Sequence, residues 1–186
     1  MNTTQNVKQF KDHETAALAS KPPADASNKD WDTVKALNQC LAHSLELSSR
    51  IKQAHWSAKG ENFFLFSKMA TDFTERLEKQ ADKLSARIVA IGGVPNWTAE
   101  KIVKTSTLPS YPSDLVKVED HIEALRISFE QTARQLSTLL SKLAKSDDYV
   151  TANTVMTLTK IVDEQKAFIA AHSGLAWLEK PKKQYA

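Results

Sequence analysis

One apolar stripe constrains this chain more than anything else in it. Phe66, Met69, Phe73, Leu77, Ala81, Leu84, Ile88 and Ile91 recur three or four residues apart, the spacing that gathers side chains on one face of a helix. A strand would scatter the same residues over two faces. The stretch therefore predicts an amphipathic helix of about seven turns at 3.6 residues per turn. Gly60 interrupts the pattern upstream, and Gly92-Gly93 followed by Pro95 stops it.

Three other stretches carry the same period. The first, over about 31–59, has Val34, Leu37, Leu41, Leu45, Leu47, Ile51 and Ala54. Another, over about 117–145, has Val118, Ile122, Leu125, Phe129, Ala133, Leu136, Leu140 and Leu143. The last, over about 148–171, has Val155, Leu158, Val162, Phe168 and Ile169. Asp30 or Asn28 is placed to cap the first of these helices and Asp147 the last. Only 4 glycines occur in 186 residues, and an all-α chain fits the abundance of Leu, Ala, Lys, Glu and Gln.

Connection lengths choose the topology. The first and last links are short, which forces antiparallel hairpins. The middle link holds Pro95, Pro109 and Pro112 and runs for about 25 residues, enough to travel a helix of roughly 40 Å. Its middle, Thr98 to Thr105, predicts a short helix capped by Thr98. Helices joined short, long, short match a ferritin-like four-helix bundle with one crossover. The bundle is expected over 31–172, with an arm over 1–30 and a tail over 173–186. In the arm Lys8, Lys11, Lys21 and Lys29 balance Asp12, Glu14, Asp25 and Asp30, and Pro22-Pro23 prevents a continuous helix.

Bundles of this class build metal sites from inward histidines and carboxylates. His55 and Asp82 are expected on neighbouring antiparallel helices, both turned from the exposed faces, as a partial metal site. The one cysteine, Cys40, excludes an internal disulfide and falls in an apolar pattern, as a buried thiol does. No leader-like apolar region and no membrane-length run is found, so a soluble, cytoplasmic protein without a membrane partner is expected. A net charge of +3 does not imply nucleic acid by itself. Phosphate-loop, nucleophile-elbow, C-x-x-C and H-E-x-x-H motifs are absent. His13, His43 and His172 lack neighbours that would make a site.

Six motifs together resemble the Dps family, the mini-ferritins of DNA protection during starvation. They are KQAHW (52–56), G-x-N-F (60–63), D-x-x-x-x-R (82–87), IGGVP (91–95), SYP (110–112) and V-x-D-H-I-x-x-L (118–125). The resemblance implies a hollow shell of twelve identical bundles that stores ferric mineral, and many members bind DNA through basic tails. It also implies oxidation of ferrous iron, usually by peroxide, between two-fold-related subunits. His121, in the last motif, is implied to be structural.

Carried onto this chain, the implied oxidation site keeps His55 from one subunit and Asp82 from its partner. The implied second histidine is Ser67, the second aspartate Thr71 and the glutamate Ala86. Hydroxyls are poor ligands for ferrous iron and Ala offers none, so weak or altered oxidation is expected. Asp72 lies about 100° around the helix from position 71 and does not replace it. Glu78 shares a stripe with Glu75 and Asp82 and is open to two readings, a substitute ligand or a salt-bridged carboxylate. His55 is equally open to a ligand role or a packed one. The implied pore residues are Asp147 and Asp148, with Asn153 where another acid is expected. DNA contact is expected from the arm lysines and from Lys180, Lys182 and Lys183 of the tail. The expected function is iron sequestration and stress protection of DNA by a dodecamer, nucleoid-associated where it binds DNA. A non-catalytic shell or DNA-compacting homologue, co-assembling with an active paralogue, is the alternative.

Overall fold

The computed structural model describes residues 28–145 and 147–172, with only the backbone given for 28–30. The arm up to residue 27 and the tail from 173 lie outside the described residues. Two compact units are distinguished, 1–33 and 34–186. Five helices occur among the described residues: α1 (Asn28–Ser57), α2 (Phe63–Ala90), α3 (Ala99–Thr105), α4 (Val118–Leu143) and α5 (Tyr149–His172). These bounds lie within three residues of the expected ones.

Contacts between the helices of the second unit fix their directions. Asn38 donates to the Val94 carbonyl at 3.0 Å, so the early part of α1 meets the end of α2. Arg50 donates to Ser128 at 2.8 Å and Ser57 lies 3.1 Å from His121, which runs α1 antiparallel to α4. Gln80 donates to the Thr154 carbonyl and Gln165 to the Phe73 carbonyl, which runs α2 antiparallel to α5. Helices α2 and α4 are consequently parallel, and only a crossover the length of the bundle can join parallel neighbours. That crossover is residues 91–117, and α3 lies within it, its Thr98 hydroxyl accepting from the Lys101 amide. The protein is an all-α, ferritin-like four-helix bundle.

The expected apolar stripes form the core. Leu37, Leu41, Ile51, Leu77, Leu84, Ile88, Leu125, Phe129, Leu158 and Ile169 are wholly excluded from water. Cys40 is buried with them, and burial pushes its thiol pKa up to about 12, which makes it inert. Helix α2 ends as its glycines dictate. Gly92 adopts φ 79°, its amide reaches the Val89 carbonyl at 3.0 Å, and the Gly93 amide reaches that of Ile88 at 2.8 Å. At Gly93 a Cβ would stand 2.7 Å from Val34, so only glycine lets the crossover leave this close to α1.

Two expectations are corrected here. The carboxylate capping α5 is Asp148, not Asp147: Asp148 accepts from the Thr151 amide at 3.0 Å, three residues on, as an N-cap does. Phe168, assigned to the core stripe of α5, is 46 % exposed, because it faces an open groove beside α2.

Candidate functional site

The end of the α1–α2 hairpin carries the expected ligand His55. It is half-buried, and its neighbours are aromatic. Its ring meets Trp56 edge-on at 5.2 Å and Phe63 at 6.5 Å. Around it the surface is apolar: Trp56 is 83 % exposed, Phe64 68 % and Leu65 63 %. Large apolar side chains exposed together at one end of a hairpin are what a contact surface presents.

Asp82 corrects the second expectation about this pair. It is exposed, because the core-facing positions of α2 here are Ala81 and Leu84, and a helix turns residue 82 outward between them. Nor are the two residues together within one chain. Lys52 of α1 pairs with Glu78 of α2 at 2.6 Å, and Ser48 donates to the same carboxylate at 3.0 Å. With the helices antiparallel, His55 and Asp82 lie on opposite sides of that level, roughly 10–16 Å apart along the axis at a rise of ~1.5 Å per residue. Among the described residues no group of three or more His, Cys, Asp or Glu side chains could hold a metal ion.

The other positions are equally plain. Ser67 is half-buried, while Thr71 and Ala86 are exposed; the Thr71 hydroxyl is turned back onto the Ser67 carbonyl at 3.1 Å. Glu78 is engaged twice, and the hydrogen bond from Lys52, with help from Ser48, holds its carboxyl below the usual range against burial. The donor set of one chain is thus an imidazole and a distant carboxylate. It does not fit a two-iron centre.

Of the expected pore residues, Asp147 and Asn153 are exposed. Asp148 is tied up. Arg87 clasps it with distances of 2.9 and 3.0 Å and also donates to Thr151 at 2.8 Å. Burial opposes ionisation of Asp148, but the Thr151 and Arg87 hydrogen bonds outweigh it and hold the carboxyl below its usual range. Its charge is therefore largely cancelled by Arg87. Of the lysines expected to meet DNA, Lys8, Lys11, Lys21, Lys180, Lys182 and Lys183 lie outside the described residues, and Lys29 is described by its backbone alone.

Sequence reasoning missed a buried polar system that anchors the crossover. Arg50 is 5 % exposed and bonds Glu46, Ser128 and the Pro109 carbonyl. Tyr111 bonds His121 Nδ1 at 2.8 Å, and the Thr107 amide donates to His43 Nε2 at 3.2 Å. SYP was the one available signal, and it named Tyr111 only through the resemblance.

With this geometry in view, the similarities to known proteins are specific. The ferritin-like domain family matches residues 34–176, and the chain belongs to it. The DNA protection during starvation protein of Agrobacterium fabrum is 27% identical over 146 residues, covering 78% of this chain and 90% of the relative. That of Listeria monocytogenes is 26% identical, covering 80% and 96%. The crystal structure of Dps from Staphylococcus aureus superposes with a TM-score of 0.73 at 25% identity, over 80% of this chain and 98% of that one. Within the ferritin-like class this chain is a member of the Dps family. No helix among the described residues is long and apolar enough to cross a membrane.

Proposed function

We propose that this chain is a shell-forming mini-ferritin that sequesters iron and protects DNA under starvation or oxidative stress, with weak or rerouted ferrous oxidation. Family membership over 34–176 supports it, and so do the names of the relatives it matches. The observation that carries it is the separation of His55 from Asp82. Neither residue serves a metal within its own chain, yet both face outward, one beside an exposed aromatic patch. The family resemblance pairs the His55 of one subunit with the Asp82 carboxylate of another, and a two-fold contact over this exposed apolar face is what would bring them together. One imidazole and one carboxylate would hold a single ferrous or zinc ion weakly. Iron is here the cargo, and Asp147 just before α5 is the exposed acid of the implied entry, Asn153 adding no charge where another acid is expected.

The replacements at Ser67, Thr71 and Ala86 favour a second reading, a non-catalytic shell or DNA-binding homologue that co-assembles with an active relative. DNA contact in either case falls to the arm and tail lysines. One tail carries Lys180, Lys182 and Lys183 against Glu179, which is small alone and large when repeated over a shell.

Sedimentation of the purified protein after ferrous loading in air tests the proposal. A closed particle near twelve times 20.7 kDa with ferric iron sedimenting in the same boundary supports it. A stable monomer overturns it, and an iron-free shell that retards duplex DNA selects the second reading.

A further inference from the structure

Beside α2, where α4 begins and α5 ends, lies an open groove of about 600 Å³. Phe66, Met69 and Phe73 form its floor, and Leu65 and Phe168 stand at its sides, 63 % and 46 % exposed. Its rim is charged. Arg76 is engaged by Glu164 and Asp72 and Lys68 lies over the Phe64 ring at 5.1 Å, while Glu119 has no cation paired with it among the described residues. Counting these five rim groups, three acids face two cations.

The chain itself arrives at this groove. His172, the last residue of α5, is part of the lining and stacks on Phe168 at 4.3 Å, which fixes where the following segment departs. That segment reads Ser173-Gly174-Leu175-Ala176-Trp177-Leu178-Glu179-Lys180-Pro181-Lys182-Lys183. Three large apolar residues fall within six positions of the groove's mouth, a reach of about 20 Å for extended chain. Gly174 permits a reversal at no steric cost. Three lysines follow, a surplus of positive charge to meet the acidic rim.

We propose that this groove is the seat of residues 175–178 of the same chain, with Trp177 and Leu178 against Phe66, Met69 and Phe168 and Lys180 beside Glu119, which leaves Lys182 and Lys183 outside the groove. Each side supplies what the other lacks: an apolar trough of limited size, and a short apolar segment tethered at its edge. Tethering makes the contact intramolecular, so even a modest interface is held closed by a high effective concentration. The seat does not depend on iron chemistry or DNA binding.

The test is fluorine NMR of the full chain with 5-fluorotryptophan at its 4 tryptophans, the Trp177 line being the one lost in Trp177→Phe. The expected line is as broad as those of the helical body. It sharpens severalfold in Leu65→Ser and in Glu119→Lys, two surface changes that leave the core intact. A sharp line in the unaltered protein overturns the proposal, as does a broad line that neither substitution affects. In co-expressed chains, one lacking 175–186 and the other carrying Leu65→Ser, Trp177 is expected to stay sharp. A broad line there means that a neighbouring copy's groove holds the tail, and overturns the seat in its own chain.

Discussion

Two histidines flank the last turn of α1 and are used in opposite ways. His121 packs on the inner side, 1 % exposed, with both ring nitrogens engaged. The Ser57 hydroxyl donates to the Gln53 carbonyl at 2.6 Å, so it accepts from Nε2–H of His121, and Nδ1 accepts from Tyr111. His55, on the outer side, has only aromatic faces for company. The inner imidazole is a neutral strut between α1, α4 and the crossover. The outer one shows only ring contacts with Trp56 and Phe63 among the described residues. A histidine in a motif therefore says little until its hydrogen bonds are counted.

His43 belongs with the inner group, and acid gives the sharpest way to break the comparison. Burial lowers its pKa from 6.5 to about 4, with Arg50 adding to the shift and Glu46 opposing it. Burial also lowers that of His121, against the Leu115 carbonyl and Asp120. Both groups are neutral when folded and bind protons more readily when unfolded, so their stabilisation is complete above about pH 6.5 and fades as pH falls towards 4. For His43 the loss is about 3 kcal/mol at 1.36 kcal/mol per unit. Urea midpoints at pH 7 and pH 4.5 should show a large drop, which His43→Gln should flatten; equal midpoints for the natural protein would deny the inner group its structural role.

Substitution separates the two sides at fixed pH. His121→Ala strands the Tyr111 hydroxyl, while Ser57 keeps its bond to Gln53, and should cost about 2 kcal/mol, the desolvation penalty of a buried polar group without its partner. His55→Ala on the outer side should change unfolding by less than about 0.5 kcal/mol, as surface substitutions do. Similar costs at both positions would erase the distinction. Asp148→Asn falls between, at about 1 kcal/mol for a weakened cap and ion pair, read in the same urea titration.

The sequence reading reached the helices, the crossover and the Gly92-Gly93 stop because each rests on local pattern. Apolar period, turn chemistry and Thr98 as a cap need no knowledge of the rest of the chain. Asp148 could not be told from Asp147, since two adjacent acids differ only in which one the Arg87 guanidinium reaches. The outward turn of Asp82 is contained in the period, since Ala81 and Leu84 take the core positions. The partners of His43 and Arg50 lie about sixty residues away in the crossover, at Thr107 and Pro109, and no spacing rule joins them. Whether His55 meets an Asp82 depends on a second copy, which a single chain does not contain.

One measurement tests directly whether the outer histidine stands among too few ligands for rapid two-iron chemistry. Stopped-flow oxidation of ferrous iron by peroxide should be compared in the natural protein, in His55→Ala and in the combined Ser67→His, Thr71→Asp, Ala86→Glu variant. Adding one nitrogen and two carboxylates should let the site hold two irons close together and stabilise their ferric product. The account predicts a slow natural protein, little change in His55→Ala and an acceleration of at least about tenfold in the combined variant, some 1.4 kcal/mol in the barrier. A fast natural protein that loses its activity in His55→Ala would contradict it, and would mean that Glu78 or another group completes the site.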